Sequence, residues 1–131
     1  MRTQSGTFSS DDSWVLLSVL LCGRNGGSLR DLLATGDYAN HAVMSFAILR
    51  GGLHRLRRAG LVVLDGGKYR AAPRAVRRWL VIRERERNLI SAWRLLERWL
   101  EKQTIMGEIA RYGRITNTSY QRAVAEYLKT G

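Results

Sequence analysis

The hydrophobic positions of this chain recur at helical spacing, in runs divided by glycine clusters, except for one short stretch where the period changes. Trp14, Leu17, Leu20 and Leu21 follow the run Ser9, Ser10, Asp11, Asp12. Such a run starts a helix, because hydroxyls cap the free N–H groups and acids suit the positive end of the dipole. Gly23, Asn25, Gly26 and Gly27 end this first helix. Ser28 caps a second, short helix, with Asp31 three positions on as in a capping box. Leu29, Leu32 and Leu33 form its inward face, and Gly36 is its expected stop. Residues 34–44, ATGDYANHAVM, are less regular and read either as an extended turn or as containing a helical turn of their own. A third helix starts near Ser45. Phe46, Leu49, Leu53 and Leu56 fall at i, i+3, i+7 and i+10, a buried stripe that Gly60 closes.

There the period shifts. Leu61 to Leu64 reads as a strand, Asp65-Gly66-Gly67 as a hairpin turn, and Lys68-Tyr69-Arg70-Ala71 as the returning strand. After Pro73 a long helical pattern resumes, with Trp79, Ile82, Glu86, Leu89, Trp93, Leu96 and Leu100 spaced 3, 4, 3, 4, 3, 4. This is a heptad seam with one polar member, Glu86. Residues 83–87, RERER, are either a solvated waist or a break into two helices. Residues 104–131 carry two shorter helical patterns divided at Gly113, with Thr116 as a cap and Tyr120 and Leu128 as packing residues. Residues 1–8 are a polar start.

Composition narrows the partners. With 131 residues, 45% of them hydrophobic, the chain is one domain, or one domain with an appendage, and builds a core without a disulfide or metal staple. Lysine and arginine number 22 against 11 acids, a net charge of +11, which favours polyanionic partners. Nearly all of it is arginine, whose planar fork suits phosphates and guanine edges, although a GC-rich coding sequence produces the same bias. Cys22, the single cysteine, reads as a small core residue. His41 and His54 lack the spacing and neighbours of a metal site. No Gly-rich phosphate loop and no nucleophile paired with a base is visible, so no catalytic residue and no cofactor is expected. The run Trp14 to Cys22 is too short to span a bilayer and lacks the basic flank of a signal peptide, so a cytoplasmic protein is expected.

Three helices followed by a two-stranded hairpin is the order of a winged helix-turn-helix. LRGGLHRLRRAGLVVLDGGKYRA, residues 49–71, resembles the end of the recognition helix and the wing of bacterial winged-helix transcription factors. The spacing L-x-x-L-x-x-x-G-L-V from Leu53 to Val62 carries that resemblance, which extends over residues 10–72. On a helical wheel Ala47, Gly51, His54, Arg55 and Arg58 lie opposite the buried stripe, flanked by Arg50 and Arg57. The resemblance implies that this helix enters the major groove, with Ser45, Ala47 and Ile48 at the usual base-reading positions and Lys68 and Arg70 on the wing against phosphate. Arg24 is a secondary candidate. Ser45, Ala47 and Ile48 are poor in hydrogen-bonding groups, and winged helices also serve as protein-interaction modules. Gly51 and Gly52 imply close approach, either to a ligand or to a neighbouring helix.

Trp79, Ile82, Leu89, Trp93, Leu96 and Leu100 form a seam with more apolar surface than a small wing domain covers. A second copy of the helix covers it in a homodimer, the layout of regulators resembling the PadR group; the other solution is that the helix folds back on its own domain. GRITNTSYQRA, residues 113–123, resembles the turn and second-helix start of helix-turn-helix modules at the end of some helicase-related proteins. The expectation is therefore mainly α with a small β-hairpin wing: a winged helix-turn-helix over 9–72, a long dimerising helix over 73–102 and a helical appendage over 103–131. The expected function is sequence-specific binding of double-stranded DNA by a dimeric, non-enzymatic transcriptional regulator. Its rivals are a protein-interaction module and a sequence-blind nucleic-acid binder. Neither an effector nor an operator is legible.

Overall fold

A computed structural model of the chain describes residues 7–105 and 115–130. The order is α1 (Ser10–Leu21), α2 (Leu29–Asn40), α3 (Phe46–Arg58), β1 (Val62–Asp65), β2 (Lys68–Ala71), α4 (Pro73–Arg85), α5 (Leu89–Glu101) and α6 (Asn117–Thr130). The protein is mainly helical with one small antiparallel hairpin, as the pattern of apolar positions implies.

α1 is the hub, and its start is fixed by a complete capping box. The Asp12 backbone N–H donates to Ser9 Oγ at 3.3 Å, and the Ser9 N–H donates to Asp12 Oδ2 at 2.9 Å. Every residue from Asp12 to Leu20 is buried, so the four-residue stripe expected from sequence is too narrow. An unbroken apolar run marks a helix enclosed on all sides. Here α2, α3, α5 and β2 surround it.

α2 does not stop at Gly36. It runs on to Asn40 and is capped by His41 in the left-handed conformation, φ 56°. Gly36 is there because α1 comes close: Trp14 Nε1 donates to its carbonyl at 3.0 Å, and an added Cβ would lie 2.9 Å from Met44 Cε. Gly52 on α3 plays the same part, since its Cβ would meet Val15 Cγ2 at 2.5 Å. That settles its role as close helix packing, and Leu49, Gly52, Leu53 and Leu56 form the buried face of α3. Phe46, expected in that stripe, is half-buried against the ring of Tyr120, with centroids 5.5 Å apart.

The hairpin pairs Val62 with Ala71 through Asp65 with Lys68, closed by Gly66 and Gly67, both at positive φ. This is the backbone that a two-residue turn matching strand twist requires. Gly27 adds a single bridge, exchanging backbone hydrogen bonds of 2.9 and 2.8 Å with Tyr69.

The long helix is two helices. Glu86 turns extended (φ −126°, ψ 109°), and Asn88 caps α5 by accepting from the Ser91 N–H at 3.0 Å. α5 then folds back against α4 and α1, and Trp93 Nε1 donates to Ser13 Oγ at 2.9 Å. Trp79, Ile82, Leu96 and Leu100 are buried within the chain, and Leu89 and Trp93 are half-buried. The seam expected to meet a second copy therefore joins the chain's own core. α6 lies along α2. Tyr120 Oη donates to the Met44 carbonyl at 2.6 Å, and Tyr127 Oη donates to Asp37 Oδ2. Thr116 caps α6 as expected, accepting from the Ser119 N–H at 3.0 Å. Leu128 is 64% exposed and is not the packing residue expected. Gly113 and the start of the GRITN stretch lie outside the described residues.

Candidate nucleic-acid interface

α3 carries four arginines and no acid, and its inner face is fastened to α1 by leucines and Gly52. The surface it presents is therefore set by which arginines remain outward. Ala47 and Arg50 are exposed, while Ile48, Gly51, His54, Arg57 and Arg58 are half-buried. Lys68 is exposed at the end of the hairpin, and Arg70 is half-buried, 3.6 Å from Asp65 Oδ2.

Arg55, half-buried like Arg57 and Arg58, is also held from the inner side. Its Nε donates to Asp12 at 3.0 and 3.1 Å and its Nη2 at 2.7 Å, a forked pair with a carboxylate that is 1% exposed. Asp12 already serves the capping box, so Arg55 neutralises a charge that burial would otherwise penalise heavily. The pairing ties the guanidinium expected to face a groove, yet 39% of the Arg55 side chain stays exposed. The helical wheel had no view of this partner on α1, 43 residues away in sequence.

Ser45 is likewise committed. Its Oγ accepts from the Ile48 N–H at 3.2 Å as the N-cap of α3, which fixes the side chain against the helix end. Between α3 and the hairpin lies a cavity of about 210 Å³, lined by Arg50, Gly51, Leu53, His54, Arg55 and Arg57 together with Tyr69 and Ile115. Burial raises the Tyr69 hydroxyl above its ordinary pKa, against the opposing pull of the Arg57 charge, so it stays a neutral hydrogen-bonding group at physiological pH. Ile115 was not among the sequence candidates, and no local signal in the tail links it to α3. A second basic surface was also missed: Arg74, Arg77 and Arg78 on α4, near Trp99. Arg74 ties α4 to the end of α3, donating to the Ala59 carbonyl at 3.1 Å and to Gln103 Oε1 at 2.6 Å.

No protein-family model, no curated protein and no solved structure matches the chain. Function therefore rests on the site. Among the described residues, no group of histidines, cysteines and acids is placed to hold a metal, and no helix is long and apolar enough to cross a membrane. Cys22 is half-buried with its thiol 3.8 Å from Thr35 Oγ1, and burial raises its pKa, partly offset by that contact.

Proposed function

We propose that this protein binds double-stranded DNA through α3 and the hairpin, as a winged helix-turn-helix regulator of transcription. The observation that carries the reading is the pairing of an acid-free, arginine-rich helix with a basic hairpin beside it, on a chain of net charge +11. Arg50 and Lys68 are the outward cations, one on each element; His54, Arg57, Arg58 and Arg70 flank them. Arginine forks and lysine ammonium groups against phosphates position a helix on a duplex, and base contacts then supply sequence preference.

The start of α3 favours a second reading on one specific ground. Ser45 is used as a cap, Ala47 has no polar group, and Ile48 is apolar, so phosphate contacts outweigh base contacts at the positions that usually read sequence. That reading is sequence-blind binding of the same duplex. A homodimer remains part of the proposal; with Trp79, Ile82, Leu96 and Leu100 packed within the chain, Leu80, Val81 and Ile90 are exposed apolar residues of α4 and α5 that a second copy would meet.

Selection of the purified protein on fragmented genomic DNA at near-physiological salt, followed by sequencing, separates these readings. Enrichment of a two-fold site with half-sites about one helical turn apart supports the dimeric regulator. Uniform recovery that falls steeply with salt supports sequence-blind binding. Absence of recovery overturns DNA binding altogether.

A further inference from the structure

Between the end of α1, the hairpin and α4 lies a cleft of about 580 Å³ to which α3 contributes no residue. Its floor is apolar: Leu20 and Trp79 are buried, and Val76 is half-buried beside them. Three arginines stand around it, Arg24 after α1, Arg70 on β2 and Arg77 on α4. No carboxylate lines it among the described residues. Arg24 and Arg77 are exposed and take part in no ion pair among the described residues. Arg70 meets Asp65 at 3.6 Å, beyond the reach of a charge-assisted hydrogen bond.

We infer that this cleft is a binding site for a small amphipathic anion: an aromatic or aliphatic body bearing one carboxylate, sulfonate or phosphate group. Three observations converge on that class. The volume is that of a small-molecule site, typically about 300–1,000 Å³. The floor removes an apolar body from water, while the arginine forks offer paired N–H donors matched to planar or tetrahedral oxyanions. The rim charge also selects against a second copy of this arginine-rich chain in the cleft, and Val81 and Ile90, named with Leu80 for a dimer contact, do not line it. Leu80, 59% exposed at the edge, is an apolar residue that such a ligand would shield. Arg70 is shared with the proposed phosphate contacts, which links the two sites, but the binding itself does not depend on the DNA reading.

The test is a fluorescence titration of the full chain with two probes that share one framework: 8-anilino-1-naphthalenesulfonate, and its neutral counterpart N-phenyl-1-naphthylamine. The sulfonate is expected to bind saturably at one equivalent and about tenfold more tightly than the neutral probe, as a charge-assisted contact implies. Arg24→Gln with Arg77→Gln is expected to weaken the sulfonate about tenfold and to leave the neutral probe unchanged. Arg94→Gln with Arg98→Gln removes the same charge from exposed positions on α5 and is expected to change neither. Equal binding of the two probes overturns the inference. So does equal weakening of the sulfonate in both double variants, which means general attraction to a basic protein, and so does a lack of saturable binding.

Discussion

Asp12 serves two elements at once, and the sequence announces one of its two roles. The helix-start role was legible, because Ser9 to Asp12 is a run of hydroxyls and acids ahead of an apolar stripe. The pairing with Arg55 was not, because it joins two helices across the core. Replacing Arg55 with alanine is expected to destabilise the fold by roughly 2–4 kcal/mol, since it strands a buried carboxylate; the partial exposure of the guanidinium keeps the loss below that of a fully buried pair. Urea unfolding measures this directly, and a change within about 0.5 kcal/mol, as for an ordinary surface arginine, contradicts the assignment. Gly52 makes a second case. Alanine there adds about 1 kcal/mol of helix propensity but drives a methyl into Val15, so Gly52→Ala is expected to destabilise by about 1–3 kcal/mol. In the double variant with Val15→Ala the two losses are expected to sum to less than their separate values, because the added methyl gains the space that the valine gave up.

At the scale of elements, the pattern of apolar positions located each helix start that carries a hydroxyl or acid signal, and missed the boundaries set by packing. Gly36 looked like a stop because glycine ends helices more often than it allows another helix to approach. The break at Glu86 fell where the sequence left open a solvated waist or two helices, because RERER is composed of good helix formers, and Asn88, whose side chain caps α5, is the local clue that decides it. Asn88→Ala is accordingly expected to cost about 1 kcal/mol. The start of α2 makes a pH-dependent prediction. Asp31 is partly desolvated, which raises its pKa, but hydrogen bonds from the Ser28 backbone and hydroxyl and the charge of Arg30 outweigh this and hold the carboxyl below its ordinary 3.8. A depressed folded pKa means that the carboxylate contributes its stability fully above the unfolded value and loses it as pH falls through the lower, folded one. Wild type is therefore expected to exceed Asp31→Asn in urea midpoint at about pH 6, and the gap is expected to shrink by about pH 3. A gap that does not change with pH contradicts the role given to the ionised carboxylate.

For the whole molecule, the mainly helical architecture with one hairpin was readable from residues 9–72, since each of those elements has its own local signal. The chain-closing contacts were not. α5 against α1, and α6 along α2, depend on residues such as Trp93 and Ser13 that are far apart in sequence, and a heptad seam looks the same whether its partner is a second copy or the chain itself. On the basic surface the sequence did not show which side chains are tied down: Arg55 is forked onto Asp12, Ser45 caps α3, and Arg50 with Lys68 are the exposed cations of α3 and the hairpin. The central claim is that this pair holds phosphate. Its most direct test compares wild type with Arg50→Ala/Lys68→Ala in binding to duplex DNA over a series of salt concentrations, with the urea midpoint as a check on folding. With two phosphate contacts removed and the fold intact, affinity is expected to fall by about tenfold or more, and the slope of log K against log salt to become shallower by about 2. An unchanged affinity and slope in a folded double variant would mean that α3 and the hairpin do not carry the DNA, and the account of this surface would be wrong.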